Sequence, residues 1–171
     1  MECISIFDML KIGVGPSSSH TLGPWRAAER WIKELKESDN FKAIKRIKVD
    51  LYGSLSLTGK GHATDLAVML GLSGSDPETI PTETIEIIIA SIQNTGKLVL
   101  NKELVVVFDI KNDIVFNRNF LPFHSNGITF TAYNDSEIHQ STFYSIGGGF
   151  VVKEEQAVNK ENKELKSEFP F

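Results

Sequence analysis

The stretch GVGPSSSHT, residues 13–21, leads from an irregular segment into the first long helical pattern of the chain. Its two glycines and Pro16 favour an irregular backbone, so regular helix is expected only after the serines. The unpaired N–H groups and the partial positive charge of a helix start attract anions. Hydroxyl groups and an imidazole at the same place add hydrogen-bond donors and a titratable group. The stretch therefore predicts a cradle for an anion such as a carboxylate or a phosphate.

A purely structural interpretation of the serines is also available, because serine is a common N-cap and one capping residue needs no function. Here three serines stand in a row, and a histidine and a threonine follow them. The residues concerned are Ser17, Ser18, Ser19, His20 and Thr21. This set exceeds what capping requires, so we favour the functional interpretation.

Outward from this stretch, helical patterns dominate the first half of the chain and strand patterns the second. A short helix is predicted over 5–10, a longer one over 21–36, and further helices over 64–70 and 82–93. Residues 54–58 are predicted to form a short helix or a turn. The isoleucines at 87–89 also suit a strand. Strands are predicted over 44–52, 104–108, 114–116, 127–133, 141–145 and 150–152.

Composition and charge narrow the class of protein. The chain has 171 residues, 41% of them hydrophobic and 23% charged, which is typical of one globular domain with or without a tail. The net charge of −4 gives no basic footprint for nucleic acid or for an acidic membrane surface. The first residues do not resemble a signal peptide, and no apolar run approaches the roughly 20 residues that span a bilayer. We therefore expect a cytoplasmic protein with no nucleic-acid or membrane partner.

Cysteine usage limits the metal chemistry of the chain. Cys3 is its only cysteine. An internal disulfide or a cysteine-built metal cluster within this chain is thereby excluded. No metal ligands are predicted.

A second motif, GKGHATD at residues 59–65, places His62 just before a helical pattern. A histidine there either packs against a glycine for steric reasons or serves as a base, since a neutral imidazole can accept a proton near pH 7. Asp65 either caps the helix or orients His62, and capping is the more frequent role.

Two later segments also carry candidate residues. The segment HSNG at 124–127 is most simply a turn, because Asn–Gly is a strong hairpin signal, but His124 beside it is also able to face a ligand. Three glycines at 147–149 predict either a bulge between strands or a place where the backbone closely approaches a ligand.

Five motifs together resemble the β domain of the iron–sulfur L-serine dehydratases, which are bacterial L-serine ammonia-lyases. They are FD at 7–8, IGVGPSSSHT at 12–21, LYGSL at 51–55, TGKGHATD at 58–65 and YSIGGG at 144–149. The resemblance extends from Ser5 to about Val152. We accordingly expect a β domain over 1–152 and the start of a charged linker towards a cluster-binding α domain over 153–171.

The resemblance implies a reaction that composition and spacing do not show. In this family a [4Fe–4S] cluster acts as a Lewis acid on the serine hydroxyl, and a base removes the α-proton. The aminoacrylate that remains hydrolyses to pyruvate and ammonia, without pyridoxal phosphate. The cluster cysteines belong to the α domain, so this chain is not expected to bind the cluster or to turn over serine alone.

The resemblance also implies roles for single residues. Ser17, Ser18, Ser19 and Thr21, with His20, would bind the carboxylate of L-serine and line the pocket. His62 is the first choice for the proton-handling residue, and His20 is the second. His124 and Asn126 would form part of the wall, and the complete enzyme is expected to be a homodimer.

A likeness to another domain supplies the fold class and a rival function. The family's β domain is similar to the allosteric substrate-binding domain of some phosphoglycerate dehydrogenases, which implies an α+β fold with a mixed β-sheet and helices packed on it. The rival function is a non-catalytic module that binds serine or another small anion and regulates a neighbour. A third interpretation is a dimerisation domain that merely closes over the cluster domain.

Overall fold

An open, mixed β-sheet carries the fold, and its central strand is β1, Arg46–Tyr52. The computed structural model describes residues 17–156, and among them seven strands form this one sheet. The other strands are β2 Lys97–Leu100, β3 Leu104–Val107, β4 Ile114–Asn117, β5 Gly127–Tyr133, β6 Glu137–Gly147 and β7 Phe150–Lys153. Their order is β2-β3-β1-β5-β6-β7, and β4 also pairs with β1. Strands β3 and β4 run parallel to β1, whereas the remaining pairs are antiparallel.

Five α-helical segments accompany the sheet in the described range, and residues 154–156 at its end are also helical. The five segments are α1 Gly23–Lys36, α2 Ser54–Thr58, α3 Thr64–Leu72, α4 Thr82–Thr95 and α5 Ile110–Asp113. A π-helical turn, Ser18–Leu22, precedes α1, and 3-10 turns cover Phe41–Ala43 and Gly59–His62. None of the helices in residues 17–156 has the length and apolar character that crossing a bilayer demands.

The core lies between helix α1 and the sheet. Trp31 of α1 stacks on Phe130 of β5, with ring centroids 5.1 Å apart, and both side chains are fully buried. Helix α3 packs closely beside α1, because a Cβ atom on Gly71 would lie 2.5 Å from the backbone oxygen of Trp25. These contacts pack the end of α3 against the start of α1, and the candidate site is built from the two turns that precede these helices.

The predicted fold class, α+β with a mixed sheet and helices packed on it, is confirmed. The likeness to the phosphoglycerate dehydrogenase domain stays a prediction, as does the domain boundary after residue 152, where β7 ends at Lys153. The predicted helix at 5–10 and the linker beyond 156 lie outside the described residues. Strand β2 was not predicted, because its four residues alternate between exposed and buried over too short a run to stand out.

The Asn126–Gly127 pair does not form the hairpin turn that its sequence favours. Strand β4, which precedes it, pairs with β1, and β5, which follows it, pairs with β1 and β6. Since β4 and β5 are not neighbours, a two-residue turn cannot join them. Segment 118–126 instead crosses from one side of β1 to the other.

The three glycines at 147–149 form the tight connection between β6 and β7. All three have positive φ angles of 59° to 99°, a region that glycine adopts without a steric penalty. A Cβ atom on Gly149 would lie 2.7 Å from the side chain of Leu22. The pairing of β6 with β7 shifts register between Ser145 and Gly147, in agreement with the predicted bulge, and the backbone closely approaches the π-helical turn. The alternative, a close approach to a ligand, stays a prediction.

Candidate active site

The serine run begins the π-helical turn Ser18–Leu22, and residues 17–22 are called the serine turn below. The serine hydroxyl groups do not cap the helix. Ser17 occupies the N-cap position, but no side-chain capping hydrogen bond is made there. Its hydroxyl oxygen lies 3.3 Å from that of Ser19, while Ser18 is exposed. The capping interpretation therefore does not account for these side chains.

Strand β6 holds this turn in place through Ser145. The Ser145 hydroxyl donates a hydrogen bond to the backbone oxygen of Ser19 at 2.7 Å. Gly23 makes the approach possible, because a Cβ atom on it would lie 1.9 Å from the Ser145 hydroxyl oxygen. The sequence therefore needs glycine directly after the turn for a packing reason.

The second histidine lies on the 3-10 turn Gly59–His62. Its Nδ1 atom lies 2.9 Å from the backbone oxygen of Thr58. A carbonyl oxygen can only accept, so Nδ1 must carry the proton of that hydrogen bond. In the neutral ring Nε2 is then unprotonated, and no partner for it is found among residues 17–156. The structure thus gives His62 one nitrogen able to accept a proton.

Ala63 connects this turn to α3 in an unusual conformation. Its φ and ψ angles are 54° and 36°, the left-handed region that is unfavourable for residues with a Cβ atom. Asp65 accepts a hydrogen bond from the Leu66 backbone N–H at 3.0 Å, so its hydrogen bond serves the start of α3. His62 is oriented by Thr58 instead.

Two reciprocal hydrogen bonds join the turns that carry the histidines. The Thr21 hydroxyl donates to the backbone oxygen of His62 at 3.0 Å, and the Thr64 hydroxyl donates to that of His20 at 2.6 Å. The imidazole rings consequently lie with centroids 5.0 Å apart and planes inclined by 38°. The structure therefore brings His20 and His62 together, as two functional residues of one site would be. We call these two hydrogen bonds the clamp. Thr21 is buried, and its hydroxyl group takes part in the clamp.

His20 is held by hydroxyl groups on both sides. Its Nδ1 atom lies 2.9 Å from the Ser19 hydroxyl oxygen, and its Nε2 atom lies 2.9 Å from that of Ser54. Burial, and next the charge of the neighbouring His62, lower the pKa of His20 below its ordinary value of 6.5, although a hydrogen bond at Ser54 raises it in part. His20 is therefore a neutral imidazole near pH 7.

Ser54 reaches His20 because of the residue before it. Gly53 has φ 54° and ψ −122°, which places it outside the regions open to other residues. A Cβ atom there would lie 2.3 Å from the Ser125 backbone oxygen, and that same oxygen accepts from the Ser54 N–H at 2.9 Å. The end of β1 and the segment before β5 thus aim Ser54 at the site.

His124 and Asn126 connect to the site indirectly. The Asn126 amide nitrogen donates to the backbone oxygen of Ser145 at 3.1 Å, and the Asn126 backbone N–H donates to Nδ1 of His124 at 3.1 Å. Asn126 is 7% exposed, and its buried Oδ1 atom has no partner among the described residues. Through Ser145 these residues support the serine turn, whereas no contact joins them to either imidazole of His20 and His62.

Four residues of the network were missed as candidates by sequence reasoning. They are Ser54, Thr58, Thr64 and Ser145. Ser54 follows Gly53 directly and Ser145 stands two residues before Gly147, both within the quoted motifs, which was a usable signal. Thr58 acts through its backbone oxygen, so its side chain could give no signal.

The described residues do not provide a metal site. No group of three or more His, Cys, Asp or Glu side chains able to hold an ion occurs within residues 17–156. Cys3, the single cysteine, lies outside that range. The described residues therefore do not fit a [4Fe–4S] cluster, whose usual ligands are several cysteine thiolates.

Curated relatives are similar to nearly the whole chain. The L-serine dehydratase of Haemophilus influenzae is 42% identical over 171 residues, which cover 98% of this chain and 38% of that protein. L-serine dehydratase 1 of Escherichia coli is 42% identical over 170 residues, 98% of this chain and 37% of that protein. The L-serine dehydratase of Streptomyces coelicolor is 42% identical over 155 residues, 89% of this chain and 34% of that protein. The chain thus spans between one third and two fifths of the length of these relatives.

A family model described as the serine dehydratase beta chain matches residues 5–156. The match includes Ser54, Ser145 and the two turns that carry His20 and His62, which are called the histidine turns below. Together with the identity to the curated relatives, it shows that the chain belongs to the serine dehydratase beta chain family.

Proposed function

We propose that this chain is the substrate-binding half of an L-serine dehydratase, a carbon–nitrogen lyase that converts L-serine to pyruvate and ammonia. The observation that carries the proposal is the pair of histidine turns. One presents hydroxyl groups at a helix start, and the other presents an imidazole whose Nε2 atom is open to a proton. An amino acid needs a site for its carboxylate, and removal of its α-proton needs a base nearby.

In this proposal the serine turn binds the substrate carboxylate. The hydroxyl groups of Ser17 and Ser19 lie at the start of α1, where the backbone dipole also favours an anion. Ser18 is exposed and able to contribute a further donor. Thr21 holds the adjoining turn and acts on the substrate indirectly.

His62 accepts the α-proton at Nε2. Its Nδ1 atom keeps its proton and donates a hydrogen bond to the Thr58 carbonyl oxygen, which orients the ring and stabilises the imidazolium formed when Nε2 is protonated. His20 remains neutral beside it, because burial and the approach of a second positive charge both disfavour its protonation. Loss of water from serine leaves an aminoacrylate, which hydrolyses to pyruvate and ammonia.

In the proposed reaction a [4Fe–4S] cluster would supply a Lewis acid for the serine hydroxyl. The described residues offer no ligand set for it, so we assign the cluster to an α domain that lies outside this sequence. We derive no step on the cluster from this chain.

The exposed surface near the site supports a partner domain at this position. Leu57 is 59% exposed on α2, the helix that also carries Ser54, and Phe120 is 60% exposed while its ring lies against Gly53. Large apolar side chains at the edge of a polar site are typical of an interface. We propose that the α domain covers this face, and therefore that the chain alone does not turn over serine. A homodimeric enzyme and a cytoplasmic location remain further proposals.

The test combines ligand binding with turnover. Chemical-shift titration of this chain with L-serine is expected to perturb residues 17–21, whereas ethanolamine, which has the same amine and hydroxyl but no carboxylate, is expected not to. The full-length protein with its cluster is expected to form pyruvate from L-serine.

The outcomes separate the lyase from a regulatory serine-binding module. Binding at residues 17–21 without pyruvate formation by the cluster-loaded, full-length protein would favour the regulatory module. Absence of both binding and turnover would contradict the proposed function.

A further inference from the structure

Strand β2 is one edge of the sheet, and its outer side carries unpaired backbone groups. Among the described strands it pairs with β3 alone. The Phe108 N–H donates to the Gly96 oxygen at 2.9 Å, so these two residues form a hydrogen-bonded pair of the antiparallel ladder. Every second residue of β2 then bonds to β3, and Lys97 and Val99 direct their N–H and C=O groups away from it. No partner for these four groups is found among residues 17–156.

The outer face of the sheet is apolar at this edge. Leu98 and Leu100 are fully buried in the core, so Val99 between them lies on the opposite face. Its cross-strand partner there is Val105. Val99, Val105 and Val107 are 44%, 56% and 58% exposed. Three neighbouring valines therefore lie uncovered beside an unpaired strand.

The inner face of the sheet is also open at this edge, because α4 does not cover β2 completely. A groove separates them, with Ile87 and Ile88 on the helix side and Lys97 and Val99 on the strand side. Ile87 is 68% exposed. An unpaired strand edge flanked by apolar side chains on both faces is a template for pairing with another strand.

The free groups of β2 fit the same strand of a second copy. In an antiparallel pair, two residues that both point towards the partner strand exchange two hydrogen bonds. If Lys97 lies opposite Val99 of a second copy, two-fold symmetry places Val99 opposite Lys97 of that copy. All four outward groups of each chain are then satisfied. Leu98 faces its own counterpart across the axis.

A register shifted by two residues satisfies fewer groups. It would place Val99 opposite Val99 of the second copy and Lys97 opposite Asn101. The Asn101 N–H already donates to the Leu72 oxygen at 2.9 Å, so the Lys97 oxygen would have no donor. The first register is therefore the favoured one.

We propose that β2 forms a homodimer interface, joined edge to edge with β2 of a second copy in the register that pairs Lys97 with Val99. The sheets of the two copies then form one continuous sheet about a two-fold axis. This inference goes beyond the proposed function, because β3 separates β2 from β1 and neither histidine turn takes part. The face with Leu57 and Phe120, assigned above to the α domain, remains free in this dimer.

The first experiment removes one outward N–H group from each chain and leaves the ladder to β3 intact. Proline is tolerated on an edge strand where its nitrogen faces outward. Sedimentation equilibrium of this chain is expected to show a dimer. Val99→Pro is expected to raise its Kd at least roughly tenfold, because two hydrogen bonds are lost per dimer. Val99→Thr keeps the N–H and the branched shape, and Leu57→Lys changes an exposed apolar residue elsewhere; both are expected to keep the wild-type Kd.

The second experiment tests the register by disulfide formation in a Cys3→Ser background. Hydrogen-bonded neighbours of an antiparallel pair have Cα atoms about 5.5 Å apart, which a disulfide can bridge. Oxidation of a mixture of Lys97→Cys and Val99→Cys chains is therefore expected to give a covalent dimer. Either variant alone is expected not to, because its two cysteines would lie at diagonal positions. This experiment also decides the matter if Val99→Pro does not fold.

The outcomes separate the interface from the proposed function. A chain that stays monomeric at NMR concentrations would overturn the inference, as would a folded Val99→Pro variant with the wild-type Kd. Covalent dimers of the Val99→Cys chain alone would show the shifted register and contradict the proposed one. Failure of the full-length protein to turn over L-serine would contradict the proposed function and leave this interface standing.

Discussion

The two histidine turns contrast in how they hold their imidazole rings. His20 lies between the hydroxyl groups of Ser19 and Ser54, so both of its nitrogens are engaged. His62 is held by one backbone carbonyl, that of Thr58, and its second nitrogen has no partner among residues 17–156. Two rings with centroids 5.0 Å apart therefore differ in their capacity to accept a proton from outside.

This difference separates a binding role from a proton-transfer role. Hydroxyl groups can reverse their hydrogen bonds, so the surroundings of His20 can adapt to a bound anion. A carbonyl oxygen cannot reverse, so His62 keeps its Nδ1 proton and its Nε2 acceptor. The same residue type thus acquires two roles from the partners that the fold supplies.

Removal of the His62 ring should have the largest effect. Because general-base catalysis contributes about 10²- to 10⁴-fold, His62→Ala in the full-length protein is expected to lower kcat by a factor in that range. Folding should be little affected, since the His62 backbone oxygen still accepts from Thr21. Steady-state kinetics with L-serine measures the change, and His139→Gln on β6 is the control. A near-normal kcat in the His62 variant would contradict its assignment as the base.

Displacing the serine turn from β6 should cost stability as well as activity. Gly23→Ala places a Cβ atom 1.9 Å from the Ser145 hydroxyl oxygen, and overpacking of this kind costs about 1–3 kcal/mol of unfolding free energy. Urea denaturation measures the loss. Gly61→Ala is the matched control, because a Cβ atom there meets nothing within 4 Å. Equal stability of the two variants would show that the turn is not packed against Ser145 as described.

Breaking the clamp between the two turns should have a smaller effect. Thr64→Val keeps the buried shape but removes the donor to the His20 backbone oxygen, at a net cost of about 1 kcal/mol of unfolding free energy. Thr95→Val is the control, since Thr95 makes its hydrogen bond to Ser91 on the exposed side of α4. If Thr95→Val lost as much stability as Thr64→Val, the clamp would have no special contribution.

The smallest expected effect is a shift in the titration of His20. Its pKa is lowered by burial first and by His62 second, so an NMR titration should show a midpoint below 6.5. His62→Ala removes the second cause only, and the midpoint should rise while staying below 6.5. A midpoint that does not move would mean that the two rings do not interact electrostatically.

The same lowered pKa predicts a direction for stability against pH. Between the folded-state pKa of His20 and the ordinary value of 6.5, the unfolded chain binds more protons than the folded one. Stability should therefore fall as the pH falls through this window. His20→Gln should remove that part of the pH dependence, as measured by urea denaturation across the window.

Periodic patterns predicted most of the elements of the fold but not their arrangement. The alternation of β1 and β5 and the helical spacing of α1 identified these segments closely, and the isoleucines of α4 are helical. The parallel placement of β3 and β4 beside β1 depends on long connections that no local pattern records. For that reason the Asn126–Gly127 pair, a correct signal for a chain reversal in isolation, was wrong as a hairpin.

Prediction of the candidate site from the sequence had the same limit: single residues were identified, but their arrangement in space was not. The serine run and His62 were recognised because several polar residues stand beside glycines at helix starts. Their proximity depends on the hydrogen bonds that Thr21 and Thr64 make between the two turns, which are tertiary contacts. Ser54 joins the site from the start of α2 and Ser145 from β6, both distant in sequence from the serine run, so single-sequence reasoning could not assign them partners.

The most direct test of the account is the protonation state of the His62 ring nitrogens. In ¹⁵N spectra of this chain near pH 7.5, neutral His62 is predicted to carry its proton on Nδ1, with Nε2 unprotonated and ready to accept the α-proton. A proton on Nε2 would mean that Nδ1 does not donate to the Thr58 carbonyl. His62 would then lack the acceptor that distinguishes it from His20, and the proposed division of roles would be contradicted.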